Sequence, residues 1–381
     1  MNQEIKFHRS HLTERELTNL QEVLTARHLS GDGGFTRRCH EWLERQTGAH
    51  TALLTHSCTA ALEMAALLLD LVPGDEVIMP SFTFVSTANA VVLRGAIPVF
   101  VDIRADTLNL DETLIEAAIT LRTRAIMVVH YAGVACDMDA ILAIAARHGL
   151  AVVEDAAQGV GARYKGRPLG SIGRFGTLSF HETKNITSGE GGALLVNDPA
   201  DEHRAEIIRE KGTDRSQFLR GQVDKYTWRD VGSSYLPSEL IAAFLLTQLE
   251  DAEAVTRERV ARWQAYHDML EPLEVAGLLR RPVVPADCEH NGHIYYVLVP
   301  SMERRSALLG GLRELGIGAA FHYVPLHSSP AGLRYCRVHG SMAVTESSAD
   351  RLARLPLWHG LDQGAQERVV SVVEMLCRQV Q

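Results

Sequence analysis

Apolar and polar positions along the chain follow two different periods, and the switches between them mark the elements. Thr13, followed three residues later by Glu16, has the spacing of a capping box, with Leu12 and Leu17 at the staple positions. Leu17, Leu20 and Leu24 then share one face, which predicts an opening helix that ends before Ser30-Gly31-Asp32-Gly33-Gly34. From about residue 50 to 200, short apolar runs alternate with helical spacings. Strands are expected over 51–54, 76–79, 98–101, 125–129, 150–154, 177–180 and 193–196, and helices over 57–70 and 139–147. This alternation implies βα units on a mainly parallel sheet with helices on both faces. Polar residues cluster just past the strand ends, where open α/β sheets hold their ligands.

A long helical stretch from 238 to about 270 changes the pattern. Beyond it the spacing predicts a strand over 294–299, a helix over 304–315, a strand over 319–322 and a last helix near 363–379. The expected fold class is therefore α/β. A large domain over 1–250, N-terminal segment included, would carry the mixed, mainly parallel sheet, and 251–381 would form a smaller α+β domain.

Composition narrows the chemistry. With 38 Lys and Arg against 47 Asp and Glu, the net charge is −9, which argues against a general nucleic-acid binder. A small anionic ligand stays open, because local charge decides that. Only Lys6, Lys165, Lys184, Lys211 and Lys225 are lysines, so lysine-dependent chemistry has a short list of candidates. The six cysteines include no CxxC pair and predict no disulfide framework. No apolar run reaches 18 residues and the first ten residues have no signal-like core, so a cytoplasmic protein without a membrane span is expected.

Three segments stand out: 56–62 (HSCTAAL), 153–158 (VEDAAQ) and 179–185 (SFHETKN). Ser57-Cys58-Thr59 opens a helix straight after a strand, where free amides and the helix dipole favour an anion. The same residues would equally serve as an ordinary cap. Asp155 ends an apolar run and needs a cation or an N–H partner there, which a plain salt bridge would also supply. Lys184 follows another strand, and a solvated surface amine is the simpler alternative for it. An Asp and a Lys at neighbouring strand ends nonetheless suit a pyridoxal phosphate enzyme, in which Lys holds the cofactor as a Schiff base and Asp pairs with its ring nitrogen.

Together with SGDGG, PSFTF (80–84), HETKNITSGEGG, HYVPLH (322–327) and RLARLPLW (351–358), these segments resemble the DegT/DnrJ/EryC1/StrS family of sugar aminotransferases. That family is a branch of the fold-type I, aspartate aminotransferase-like pyridoxal phosphate enzymes. The resemblance implies Lys184 as the cofactor lysine and Asp155 as the partner of the ring nitrogen. It places Gln158 near the ring's phenolic oxygen and Phe84 on its open face. Cys58, Thr59 and Ser179 would hold the phosphate. His181, Arg220, His322 and His327 would lie toward the substrate, and no metal is implied. It further implies a homodimer with shared active sites. Most members carry Gly-x-Asn-Tyr-Arg before the linker helix, whose Asn reaches the partner subunit's cofactor; here Gly232-Ser233-Ser234-Tyr235-Leu236 puts Ser234 in that place. The stretch 209–236 narrows the resemblance to members that aminate C4 of dTDP-4-keto-6-deoxyglucose with L-glutamate as donor. Rival readings are amination at C3 or of a UDP-sugar, the deoxygenating branch (disfavoured by Lys184, where that branch has His), and a pyridoxal phosphate-binding regulator without turnover.

Overall fold

The computed structural model describes residues 4–379, and strand pairing organises most of them. Two helices, α1 (Arg15–Ala26) and α2 (Gly34–Thr47), lead into β1 (Thr51–Thr55), α3 (Cys58–Leu68), β2 (Glu76–Pro80), α4 (Val85–Val92) and β3 (Ile97–Val101). The strands β4 (Thr123–Val129) and β5 (Ala151–Asp155) follow. Two short strands come next, β6 (Arg163–Tyr164) and β7 (Arg167–Pro168), then β8 (Phe175–Ser179) and β9 (Gly192–Val196). The large sheet runs β1-β9-β8-β5-β4-β2-β3, with Arg337–Val338 added parallel to β3. β3, β2, β4, β5 and β8 are parallel, and β9 and β1 close the other edge antiparallel. Strands buried on both faces explain the unbroken apolar runs.

One apolar cluster packs α2 and the helices Met138–His148 and Glu239–Glu250 on one face of the sheet; another packs α3 and α4 on the other. A third cluster builds a separate unit from Ala252–Val275, Met302–Glu314, Gln363–Gln379 and the antiparallel pair Tyr295–Leu298 and Leu352–Leu355. Ile5 belongs to that cluster and bridges to Ile317, so the N-terminal segment packs with C-terminal residues.

Four local expectations change. The face of α1 is rotated by about one residue: Glu16 and Val23 are buried, while Leu12, Leu17 and Leu24 are exposed. Polar anchors set this rotation, since Gln248 Nε2 donates to Glu16 Oε1 (2.7 Å) and Asn19 Nδ2 donates to Thr247 Oγ1 (2.9 Å). Only half of the capping box forms. The Thr13 N–H and hydroxyl both donate to Glu16, and the cap residue is Glu14. The stretch after 238 is two helices, divided at Asp251, whose ψ of −2° interrupts the helical bonds. Residues 319–322 form no strand beyond an Ala320–Arg354 bridge, because the chain turns away there and carries His322 and Tyr323 to a cavity.

Sequence patterning also misses α2, which begins inside the glycine-rich segment. A buried acid explains its start. Glu239 accepts from the N–H groups of Gly33 (3.1 Å), Phe35 (2.9 Å) and Thr36 (3.0 Å) and from the Thr36 hydroxyl. It thus satisfies the donors that a helix N-terminus leaves unpaired. Glu239→Ala leaves those donors buried without acceptors and is expected to cost about 3 kcal/mol. A denaturant midpoint within error of the parent's would contradict this account.

Candidate active site

The carboxyl ends of β5 and β8 and the start of α3 open onto one cavity of 380 Å³. Cys58, Thr59, Phe84, Asp155, Gln158, Ser179, His181, Lys184 and His322 all line it. Three other expected residues do not line the cavity of their own chain. Arg220 is exposed and bound to Glu206 (2.7 and 2.6 Å). His327 pairs through Nδ1 with Ser81 Oγ (2.8 Å). Ser234 is exposed on a bridge to Glu210.

Asp155, only 4% exposed, ends β5. Its Oδ2 accepts from Thr87 Oγ1 (2.7 Å) and its Oδ1 from the Ala157 N–H (3.1 Å). The Thr87 hydroxyl is itself tied to Thr83 Oγ1 (2.8 Å). Burial pushes the carboxyl above its ordinary range, against these two hydrogen bonds. Lys184 sits in the turn after β8, and no carboxylate among the described residues lies within ion-pair distance of its amine. Burial lowers its pKa from the ordinary lysine value. Each group is thus driven toward neutrality by the same dry surroundings.

The rest of the cavity is set by neighbouring elements. Gln158 is held at both ends: Oε1 accepts from the Ala132 N–H (2.6 Å) and Nε2 donates to the Tyr323 hydroxyl (2.9 Å). Phe84 caps α4 and is 58% exposed beside the cavity, a ring free to cover a flat ligand. Thr59 Oγ1 pairs with Ser86 Oγ (2.7 Å). Burial drives His322 to about 2, so it is a neutral ring at working pH, with Nδ1 against the Tyr131 hydroxyl (3.1 Å). His181 Nδ1 accepts from the Thr183 N–H (3.2 Å).

Three observations fit pyridoxal phosphate. At α3, the Ala60 N–H is met by Ser57 Oγ and the Ala61 N–H by the Ser57 carbonyl, which leaves the Cys58 and Thr59 amides for an anion. Gly192 on β9 lies against that turn, where any Cβ would strike the backbone of Ser57 and Cys58. Asp155 is a buried carboxyl whose two partners are both uncharged, which a protonated ring nitrogen would complete. Sequence reasoning missed Thr87, Gly192, His293, Tyr323, Phe7 and Arg354. Of these, Arg354 lies within the quoted RLARLPLW segment, but its spacing carries no sign of a cavity.

Comparison with known proteins agrees with this geometry. Residues 10–374 match the DegT/DnrJ/EryC1/StrS aminotransferase family. The chain belongs to that family. The aminotransferase TlmJ of Streptoalloteichus hindustanus superposes with a TM-score of 0.91 at 28% identity, covering 100% of both chains. A Streptococcus pneumoniae protein described as a sugar aminotransferase, in its PLP form, gives 0.91 at 26% identity over 100% of both chains. DesV of S. venezuelae, in complex with a ketimine intermediate, gives 0.87 at 33% identity over 96% of this chain and 95% of that one. The protein is accordingly a fold-type I aminotransferase, and its cofactor is pyridoxal 5′-phosphate. No helix among the described residues is long and apolar enough to cross a membrane.

Burial lowers the Lys184 pKa, so in the cofactor-free protein its amine is unprotonated at a lower pH than a free lysine. Competitive labelling with acetic anhydride should therefore show the Lys184 rate rising with pH and levelling below 10.5, the ordinary lysine value. An inflection at or above 10.5 would show that burial does not govern this amine.

Proposed function

We propose that this aminotransferase moves the amino group of L-glutamate to C4 of dTDP-4-keto-6-deoxy-D-glucose. The products are 2-oxoglutarate and dTDP-4-amino-4,6-dideoxy-D-galactose, a precursor for enterobacterial common antigen or a related surface polysaccharide. The observation that carries the reaction class is the meeting of Lys184, Asp155 and the α3 N-terminus in one cavity. Pyridoxal phosphate, when bound, supplies a carbonyl for the amine and a ring that absorbs carbanion charge.

The chain's residues then divide the work. The Cys58 and Thr59 amides, with Thr59 and Ser179 hydroxyls, bind the phosphate and fix the ring's position. Asp155 holds the proton on the ring nitrogen, and Thr87 and the Ala157 N–H aim its carboxylate. Gln158 would meet the phenolic edge, and Phe84 would cover the open face and exclude water. Lys184 Nζ would carry the proton between the donor's Cα and the cofactor's carbonyl carbon. Because burial lowers its pKa, the amine loses its proton more readily than a free lysine.

The sugar assignment rests on the segment 209–236. Its arginines are mostly engaged within the chain: Arg215 with Glu210, Arg220 with Glu206 and Arg229 with Asp214. Among its aromatic residues Tyr226 is 52% and Trp228 77% exposed. That surface, together with exposed Ser234, supports a homodimer in which the segment reaches the partner's site. The catalytic division would follow the chain, with 1–250 binding the cofactor and 251–381 covering it. Amination at C3, or of a UDP-sugar, is the rival.

Asp155→Asn is expected to slow both half-reactions by about 2–4 kcal/mol of barrier, as for other lost electrostatic partners. Single-turnover spectra of each half-reaction check this, and a near-parental rate in either removes Asp155 from the mechanism. With L-glutamate and dTDP-4-keto-6-deoxyglucose, NMR of the product should show an axial 4-amine. An equatorial amine would keep the reaction and reject the galacto product, whereas turnover confined to UDP-sugars would reject the substrate.

A further inference from the structure

One strong cation in the cavity has no counter-charge. Arg354 lies on the strand Leu352–Leu355, paired with Tyr296, and lines the cavity. Its Nη2 donates to the Phe321 carbonyl (3.1 Å), and its Nε is buried with no acceptor. Its guanidinium lies 4.9 Å over the Phe7 ring. No carboxylate among the described residues pairs with it. Two other partly buried arginines are clamped by acids, Arg174 by Asp201 and Arg337 by Glu76. Arg259, buried in the same wall, donates to the carbonyls of Gly292 (3.1 Å) and His293 (2.9 Å).

We infer that Arg354 binds a carboxylate of the amino-acid donor, with the Phe7 ring holding its guanidinium in place. This deepens the transaminase reading and rests on it. A desolvated guanidinium with donors to spare is completed by an anion, and its planar fork matches a carboxylate. Its position selects which anion. Arg354 lines the same cavity as Lys184, His293 and His322. It therefore faces the same enclosed space as the reacting amine. In an amino acid the α-carboxylate is one bond from the carbon that reacts. In a nucleotide sugar the phosphates are separated from C4 by the pyranose ring and the glycosidic oxygen. The nearby His322 is neutral and contributes no charge, so Arg354 supplies it.

Phe7 is built into place. The Ile5 N–H donates to Gly316 (2.9 Å) and the Gly318 N–H donates to Ile5 (2.8 Å), which straps the N-terminal segment beside the cavity. Gly318 has no Cβ, and one there would strike Phe7. A ring face under a guanidinium attracts it without neutralising it, so the charge stays available to a ligand.

The test uses holoenzyme of the parent, R354Q and R354K. Glutarate, a dicarboxylate with no amine to transfer, is titrated by calorimetry. R354Q should weaken it at least tenfold, and R354K should recover part of the loss. In separate half-reactions, R354Q should raise the KM for L-glutamate at least tenfold and leave that for the sugar nucleotide within threefold. Unchanged glutarate affinity in R354Q would overturn the inference, as would a KM increase confined to the sugar nucleotide. A parent enzyme that releases no 2-oxoglutarate from L-glutamate would instead overturn the transaminase reading itself. If R354Q fails to fold, R354K carries the same test: unchanged glutarate affinity and glutamate KM overturn the assignment, and a partial loss of both supports it.

Discussion

Burying an amine and a carboxyl in one dry cavity works against folding, because each charged form loses its water. Lys184 and Asp155 do this together, and both are driven toward neutrality. Much of the surrounding structure serves to tolerate that cost and to aim the groups. Thr83 orients Thr87, Thr87 orients Asp155, and the Ala157 N–H takes the second oxygen. Adjacent side chains on a strand point to opposite faces. Accordingly Glu154, next to Asp155, is spent on structure. It accepts from the Gly170, Ile172 and Gly173 amides and pairs with His130.

The parallel order of β4, β5 and β8 explains why these groups meet. Strands that run the same way bring their carboxyl ends, and the loops that follow, to one edge. α3 starts at that edge because β1, although antiparallel to β9, ends there too. Gly192 closes the arrangement by letting β9 lie against the first turn of α3. That turn leaves the Cys58 and Thr59 amides free at the cavity.

The second unit completes the cavity with Arg354, His322 and Tyr323, and the N-terminal segment adds Phe7 and His8. These residues lie at both ends of the chain, yet they enclose one space. A cluster containing Phe82, Tyr131, Tyr296 and Leu352 fills the join between the sheet and the second unit. The cation of Arg354 and the carboxyl of Asp155 stand on opposite sides of that join, each without a charged partner of its own. Such a cavity favours a ligand that carries both signs of charge.

Period alone determined most of the sheet in this sequence: each of the seven strands expected between 51 and 196 is present within two residues of its bounds. Strands buried on both faces write continuous apolar runs, and that signal is local. Lys184, Asp155 and the Ser57–Thr59 turn were legible because their chemistry is carried by a short segment at a strand end. Other features depend on partners distant in sequence. The start of α2 needs Glu239, two hundred residues away, and the rotation of α1 needs Gln248 and Thr247. Arg354 has the look of any surface arginine until the fold removes its water and places no acid beside it. Spacing records what a residue repeats with, whereas burial and charge balance depend on what the rest of the chain brings alongside, and only the tertiary structure decides that.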